Sequence, residues 1–154
     1  MSQPLPFMYI PQPAQLLVIT NLDQDSFPII QLRKYFPGRN FIVISTRDFK
    51  ILNWKKSEKN YHGFIYLEES KDQLLTKLPH SENSTPLGED SFRIKSNKWQ
   101  GIPVLMLLGG GRPGLIHAVN ELGQKILSHQ GDVVVIPEVN IEQSPALPYR
   151  LFWT

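Results

Sequence analysis

The chain has 154 residues, 41% of them hydrophobic, with 16 Lys and Arg against 14 Asp and Glu and no Cys. A chain of this length buries roughly 70% of the surface its unfolded form exposes, so one core forms without staples. The missing Cys excludes disulfides, thiolate zinc sites and a cysteine nucleophile, and a net charge of +2, split +3 over residues 1–77 and −1 over residues 78–154, is too even for a nucleic-acid footprint.

Residues 1–14 carry prolines at positions 4, 6, 11 and 13 and are expected to form an N-terminal extension. No Lys or Arg precedes Arg33, so the positive start of a signal peptide is missing. The chain is expected either to be cytoplasmic or to have been exported with its signal removed. Residues 15–20 are an apolar run of strand length that ends in a polar turn. Asp25 or Ser26 then caps a helix to Phe36, with Pro28 in the first turn, Ile29, Leu32 and Phe36 on one face, and Pro37 and Gly38 as its stop. Residues 41–45 make a β-branched second strand, and the strand, helix, strand spacing predicts a parallel crossover unit. Residues 63–67 read as a third strand, residues 70–78 as a short helix and residues 79–88 as an exposed loop rich in Ser, Asn and Pro.

Residues 91–95 alternate polar and apolar, residues 101–108 are apolar throughout, and a turn over residues 96–100 containing Trp99 joins them as a hairpin. The apolar run over residues 102–108 is interrupted by Pro103 and falls far short of the roughly 20 residues that span a bilayer, so no membrane partner is expected. The glycine-rich stretch 109–114 opens a helix over residues 115–129, in which Leu115, Val119, Leu122 and Ile126 recur at helical spacing. Residues 132–136 form a last short strand, and an extended tail runs from Pro137. The predicted fold class is α/β (α+β), a mixed β-sheet with two principal helices packed on it, because the hairpin breaks the regular alternation of a doubly wound sheet.

Gly109, Gly111 and Gly114 satisfy G-x-G-x-x-G after a strand and at a helix start, the context of a dinucleotide fingerprint. Gly109, Gly110, Gly111 and Gly114 with Arg112 are therefore the candidate anion-binding set: backbone N–H groups cradle the ligand and Arg112 adds a charge-assisted contact. Three features count against a nucleotide. Pro113 removes a donor, only 40 residues follow Gly114, and Glu138 stands 29 residues after Gly109. A ribose-binding acid is expected about 20 residues on. The competing account is a structural turn, with Gly for the tight backbone and Pro for the helix start.

Asn21, Asp23 and Asp25 alternate like the first half of a calcium loop, but Leu32 occupies the position that needs Glu. His62, His80, His117 and His129 show no zinc spacing. Glu68 with Glu69 and Glu89 with Asp90 are adjacent pairs, which in a strand face opposite ways and cannot flank one substrate. No Ser sits in a nucleophile elbow, and Lys55, Lys56 and Lys59 read as a solvated loop rather than a nucleic-acid track. No catalytic residue, metal site or cofactor is expected in this chain.

Ser91-Phe-Arg-Ile-Lys95, the apolar strand after it, Gly111-Arg-Pro-Gly-Leu-Ile-His-Ala-Val-Asn-Glu-Leu122 and Pro145-Ala-Leu-Pro-Tyr-Arg150 follow one another in a telling order. That order resembles the accessory N-terminal domain of alpha-glucuronidases and bacterial beta-N-acetylhexosaminidases. His117 stands where the pattern has an aromatic residue and Ala118 where it has a small one. The resemblance implies a non-catalytic, hexosaminidase N-terminal-domain-like unit over residues 15–137. It also implies a linker over residues 138–154 into a downstream (β/α)8 barrel, absent from this chain, that holds the catalytic carboxylates.

Arg150 matches the Arg of an aromatic-Arg pair that reaches the bound sugar, which makes it the implied substrate-binding residue. Here Ser144-Pro-Ala-Leu-Pro148 precedes the pair and Leu151 follows it. The implied partners are the downstream catalytic domain of the same polypeptide and carbohydrate at the domain boundary. The full-length protein is then a glycoside hydrolase to which this chain contributes no chemistry. Tyr149, Phe152 and Trp153 form an apolar end that is costly to expose, as expected of a segment that begins the next domain or docks on a partner. Two alternatives stay open: a nucleotide or anionic small-molecule binding module at the 109–114 loop, and an interaction module that docks through its apolar C-terminal tail.

Overall fold

The computed structural model describes residues 6–12, 15–45, 63–69, 88–99 and 102–143. In chain order the elements are β1 (Pro6–Ile10), β2 (Gln15–Thr20), α1 (Phe27–Lys34), β3 (Asn40–Ile44), β4 (Phe64–Glu69), β5 (Phe92–Trp99), β6 (Ile102–Gly109) and α2 (Arg112–Glu121). A π turn (Leu122–Ile126) follows, and then β7 (Ser128–Gln130), β8 (Val133–Pro137) and β9 (Asn140–Gln143). A six-stranded sheet has the order β3-β2-β4-β6-β5-β9, and a three-stranded sheet the order β1-β8-β7. The protein is therefore an α+β fold with, among the described residues, one mixed and one antiparallel sheet and two α-helices.

β2 pairs in parallel with both β3 and β4, and β4 in parallel with β6, whereas β5 is antiparallel to both β6 and β9. Parallel strands are buried on both faces, which is why residues 16–19 and 64–67 are continuously apolar rather than alternating. Their side chains still divide with period two. Leu16, Val18, Ile65 and Leu67 face α1 and α2, while Leu17, Ile19, Phe64 and Tyr66 build a second cluster on the other face.

Several expected boundaries move. The 1–14 segment is not all extension, because Pro6–Ile10 pairs antiparallel with β8 and buries Met8 and Ile10 in the main core. Pro6 sits at the first position of that strand, where a missing N–H costs no ladder bond. The hairpin turn is not 96–100, because Ser96, Asn97, Lys98 and Trp99 continue β5 opposite Leu105, Val104, Pro103 and Ile102. Residues 70–78 and 79–88 lie outside the described residues except Gly88, which precedes the turn at Glu89 and Asp90.

α1 is shorter than residues 25–36. Ser26 is its N-cap residue, yet the Ser26 hydroxyl donates to the Asp23 carbonyl at 2.7 Å and caps nothing. α2 begins at Arg112 and does not reach His129. Its last turn widens so that the Leu127 N–H donates to the Leu122 carbonyl at 3.0 Å, and Leu127 leaves in extended conformation. A two-residue turn at Gly131, with φ of 63°, and Asp132 then folds β7 against β8, and that hairpin takes Ser128, His129 and Gln130 away from the helix. The tail after Pro137 re-enters the large sheet as β9 beside β5.

Candidate functional site

In a parallel sheet, ligands bind beyond the carboxyl ends of the strands where the chain order reverses. Here that point lies between β2 and β4, because the chain passes from β2 outward to β3 and then returns to β4 on the other side. The residues that converge at this end are Thr20, Glu68, Glu69 and the glycine-rich turn between β6 and α2. Thr20 is buried, and its Oγ1 accepts the Leu22 N–H at 3.1 Å, which closes the turn after β2.

Glu68 and Glu69 are both buried and, as neighbours on one strand, face opposite ways. Tyr66 donates its hydroxyl to Glu68 Oε1 at 2.7 Å on the face of the second cluster. Glu69 turns to the helix side, where Arg112 Nε donates to Glu69 Oε2 at 2.6 Å. The Arg112 side chain is 47% exposed and that of Glu69 only 5%. A carboxylate so far out of water requires compensation, and a guanidinium at the start of α2 supplies it. The pair joins the end of β4 to the first residue of α2. The two carboxylates do not share a substrate space.

The glycine turn has a different task from the one its spacing suggests. The Gly110 N–H donates to the Ser91 carbonyl and the Gly114 N–H to the Glu89 carbonyl, both at 3.0 Å, while Ser91 N–H donates to Gly88. A Cβ on Gly114 would sit inside the Ser91 carbonyl, one on Gly109 inside the backbone of Leu115, and one on Gly111 2.7 Å from Glu89 Cγ. Gly111 and Gly114 therefore let the turn before β5 lie directly on the start of α2, and Gly109 lets the end of β6 approach the backbone of α2.

The candidate anion set of Gly109, Gly110, Gly111, Arg112 and Gly114 is brought together, but part of it is engaged. The Gly110 and Gly114 N–H groups bond backbone carbonyls, Pro113 offers none, and Arg112 Nε is paired with Glu69. An anion that used those three groups would have to displace their partners.

The remaining candidates are scattered. Arg150 lies outside the described residues, as do His62, His80, Lys55, Lys56 and Lys59. His117 is exposed on α2 and His129 exposed on β7. Asp23 accepts the Ser26 N–H and hydroxyl through its backbone carbonyl, which fixes the turn into α1. Among the described residues no three His, Asp or Glu side chains converge as metal ligands do, and no helix is long and apolar enough to cross a membrane. The Glu69 to Arg112 pair escaped sequence reasoning because 43 residues separate its members. No family model and no curated protein matches this chain.

Proposed function

We propose that the chain is an accessory α+β domain of a glycoside hydrolase, without catalytic residues of its own, that packs through its helix layer against a neighbouring catalytic (β/α)8 barrel. The observation that carries this reading is the outer face of α1. Phe27 and Ile30, one turn apart, remain 51% and 41% exposed and are, with Tyr9, the large hydrophobic residues left in water among those described. The two helices are locked side by side, because Gln31 Nε2 and the Tyr35 hydroxyl both donate to Asn120 Oδ1, at 3.3 and 3.1 Å. One turn earlier on each helix come Phe27 and the half-buried Ile116. The helix layer is thus a rigid platform with an apolar margin, and covering Phe27 and Ile30 is worth about 2 kcal/mol.

Two further features support the same reading. The hairpin of β5 and β6, the glycine turn and the helix follow one another in the order that the resemblance implies. The ionisable residues at the strand ends are held in structural bonds, so the chemistry is assigned to the neighbour. The test is the coding sequence beyond Thr154. An open frame that encodes a (β/α)8 barrel, whose product hydrolyses aryl glycosides, supports the proposal. A stop codon with no barrel partner encoded nearby overturns it.

A further inference from the structure

About 20 Å along the axis of α2 from the glycine turn, a groove of about 590 Å3 opens between the two sheets. Lys125 and Ile126 of the π turn, Gln130 of β7, Val135 and Pro137 of β8 and Asn140 of β9 all line it. Its size is that of a small-molecule site. A π turn is rarer than a continued α-helix and is found preferentially at functional sites. Here its last two residues are part of the groove wall.

The chemistry of the lining narrows the ligand. Lys125 and Glu138 are the charged lining groups, one of each sign, and the Lys125 ammonium lies 3.5 Å from Glu121. No excess charge invites a phosphate or a carboxylate. Ser128, Gln130 and Asn140 offer donors and acceptors together, and Val135, Pro137 and Val139 line the same groove with apolar side chains. An extended peptide would depend on strand edges, and β7 and β9 are only three and four residues long.

A ring with an apolar C–H face and hydroxyls at its margin matches both kinds of lining. Tyr9, 55% exposed, stands directly opposite Val135, which in turn stands opposite Ser128. Opposed residues of an antiparallel pair share a face, so Tyr9 lies beside Val135 at the margin of the groove, outside its own lining.

We infer that this groove binds an uncharged pyranose oligosaccharide, with hydroxyls on Ser128, Gln130 and Asn140 and ring faces on Pro137 and, at the groove's margin, Tyr9. The choice of a sugar rests on the glycoside hydrolase reading, whereas the groove is built from this chain alone, so a failure to bind sugar is distinguishable from a failure of the docking proposed above.

Titration of the 154-residue chain with xylotetraose and with chitotetraose, followed by amide NMR, tests it. Saturable shifts at Gln130, Val139 and Asn140 are expected with at least one of the two sugars. The Gln130→Ala/Asn140→Ala double variant should weaken binding at least about tenfold, and Tyr9→Ala about fivefold, with the rest of the spectrum unchanged. All three residues are exposed, so either variant preserves the fold and reads binding independently of the other. Absence of saturable shifts with either sugar up to about 10 mM, or unchanged affinity in both variants, overturns the inference.

Discussion

The ring of Tyr35 occupies the space that a side chain on Gly123 would need: a Cβ built there falls within the ring atoms. This contact, with the Tyr35 hydroxyl on Asn120, sets how closely α1 approaches the end of α2. Gly123 also lies in the π turn, so the close helix approach and the widened turn occur together.

Gly123→Ala therefore has an expected sign opposite to the usual one. In an exposed helix this change stabilises by up to about 1 kcal/mol, whereas here it forces Tyr35 aside and should destabilise by about 1–3 kcal/mol. Urea unfolding of the variant checks the sign. Tyr35→Ala in the same chain should remove most of the penalty.

Arg39 ties the two sheets together. Its guanidinium donates to the carbonyls of Pro37 at 2.7 Å and Ile10 at 2.8 Å, and also to that of Asp132 in the β7–β8 turn. Arg39→Met should cost about 1 kcal/mol by removing these bonds, of which the one to the Ile10 carbonyl is part-buried. Amide exchange should accelerate first in β1 and β8. Arg39→Lys should recover little of it, because a compact ammonium cannot reach three separated carbonyls.

The turn between β6 and α2 should behave as a packing device. Gly114→Ala drives a methyl into the Ser91 carbonyl and should cost at least about 2 kcal/mol. A double-mutant cycle of Glu69→Gln and Arg112→Met should give a coupling of about 1–2 kcal/mol, discounted for the exposure of Arg112. Calorimetric titration of the unmodified chain with mononucleotides, dinucleotides or sugar phosphates should show no saturable heat.

Much of the scaffold was legible because its strands are short apolar runs bounded by turn residues: β2, β3, β4, β6 and β8 all begin or end within two residues of where the pattern puts them. β1 was hidden by the prolines around it, and β9 by having a single apolar residue, Ile141. Their pairing with β8 and β5 supplies what local preference lacks. The period alone extends the second helix past its observed end, because Leu122 and Ile126 keep the helical spacing across the π turn. At the strand ends, the glycines were visible but their reason was not. The carbonyls of Glu89 and Ser91 that crowd Gly114 precede it by more than twenty residues, a relation only the folded chain reveals.

The most direct test of the proposed role compares Phe27→Gln/Ile30→Gln in two polypeptides, the 154-residue chain and the longest in-frame product that contains it. Each residue is already about half covered within this chain, so the double substitution should destabilise the short chain by about 2 kcal/mol. In the longer product the cost should be about 2 kcal/mol larger than in the short chain, and one unfolding transition should separate into two. An equal cost in both polypeptides would contradict the claim that this helix face docks on a catalytic neighbour.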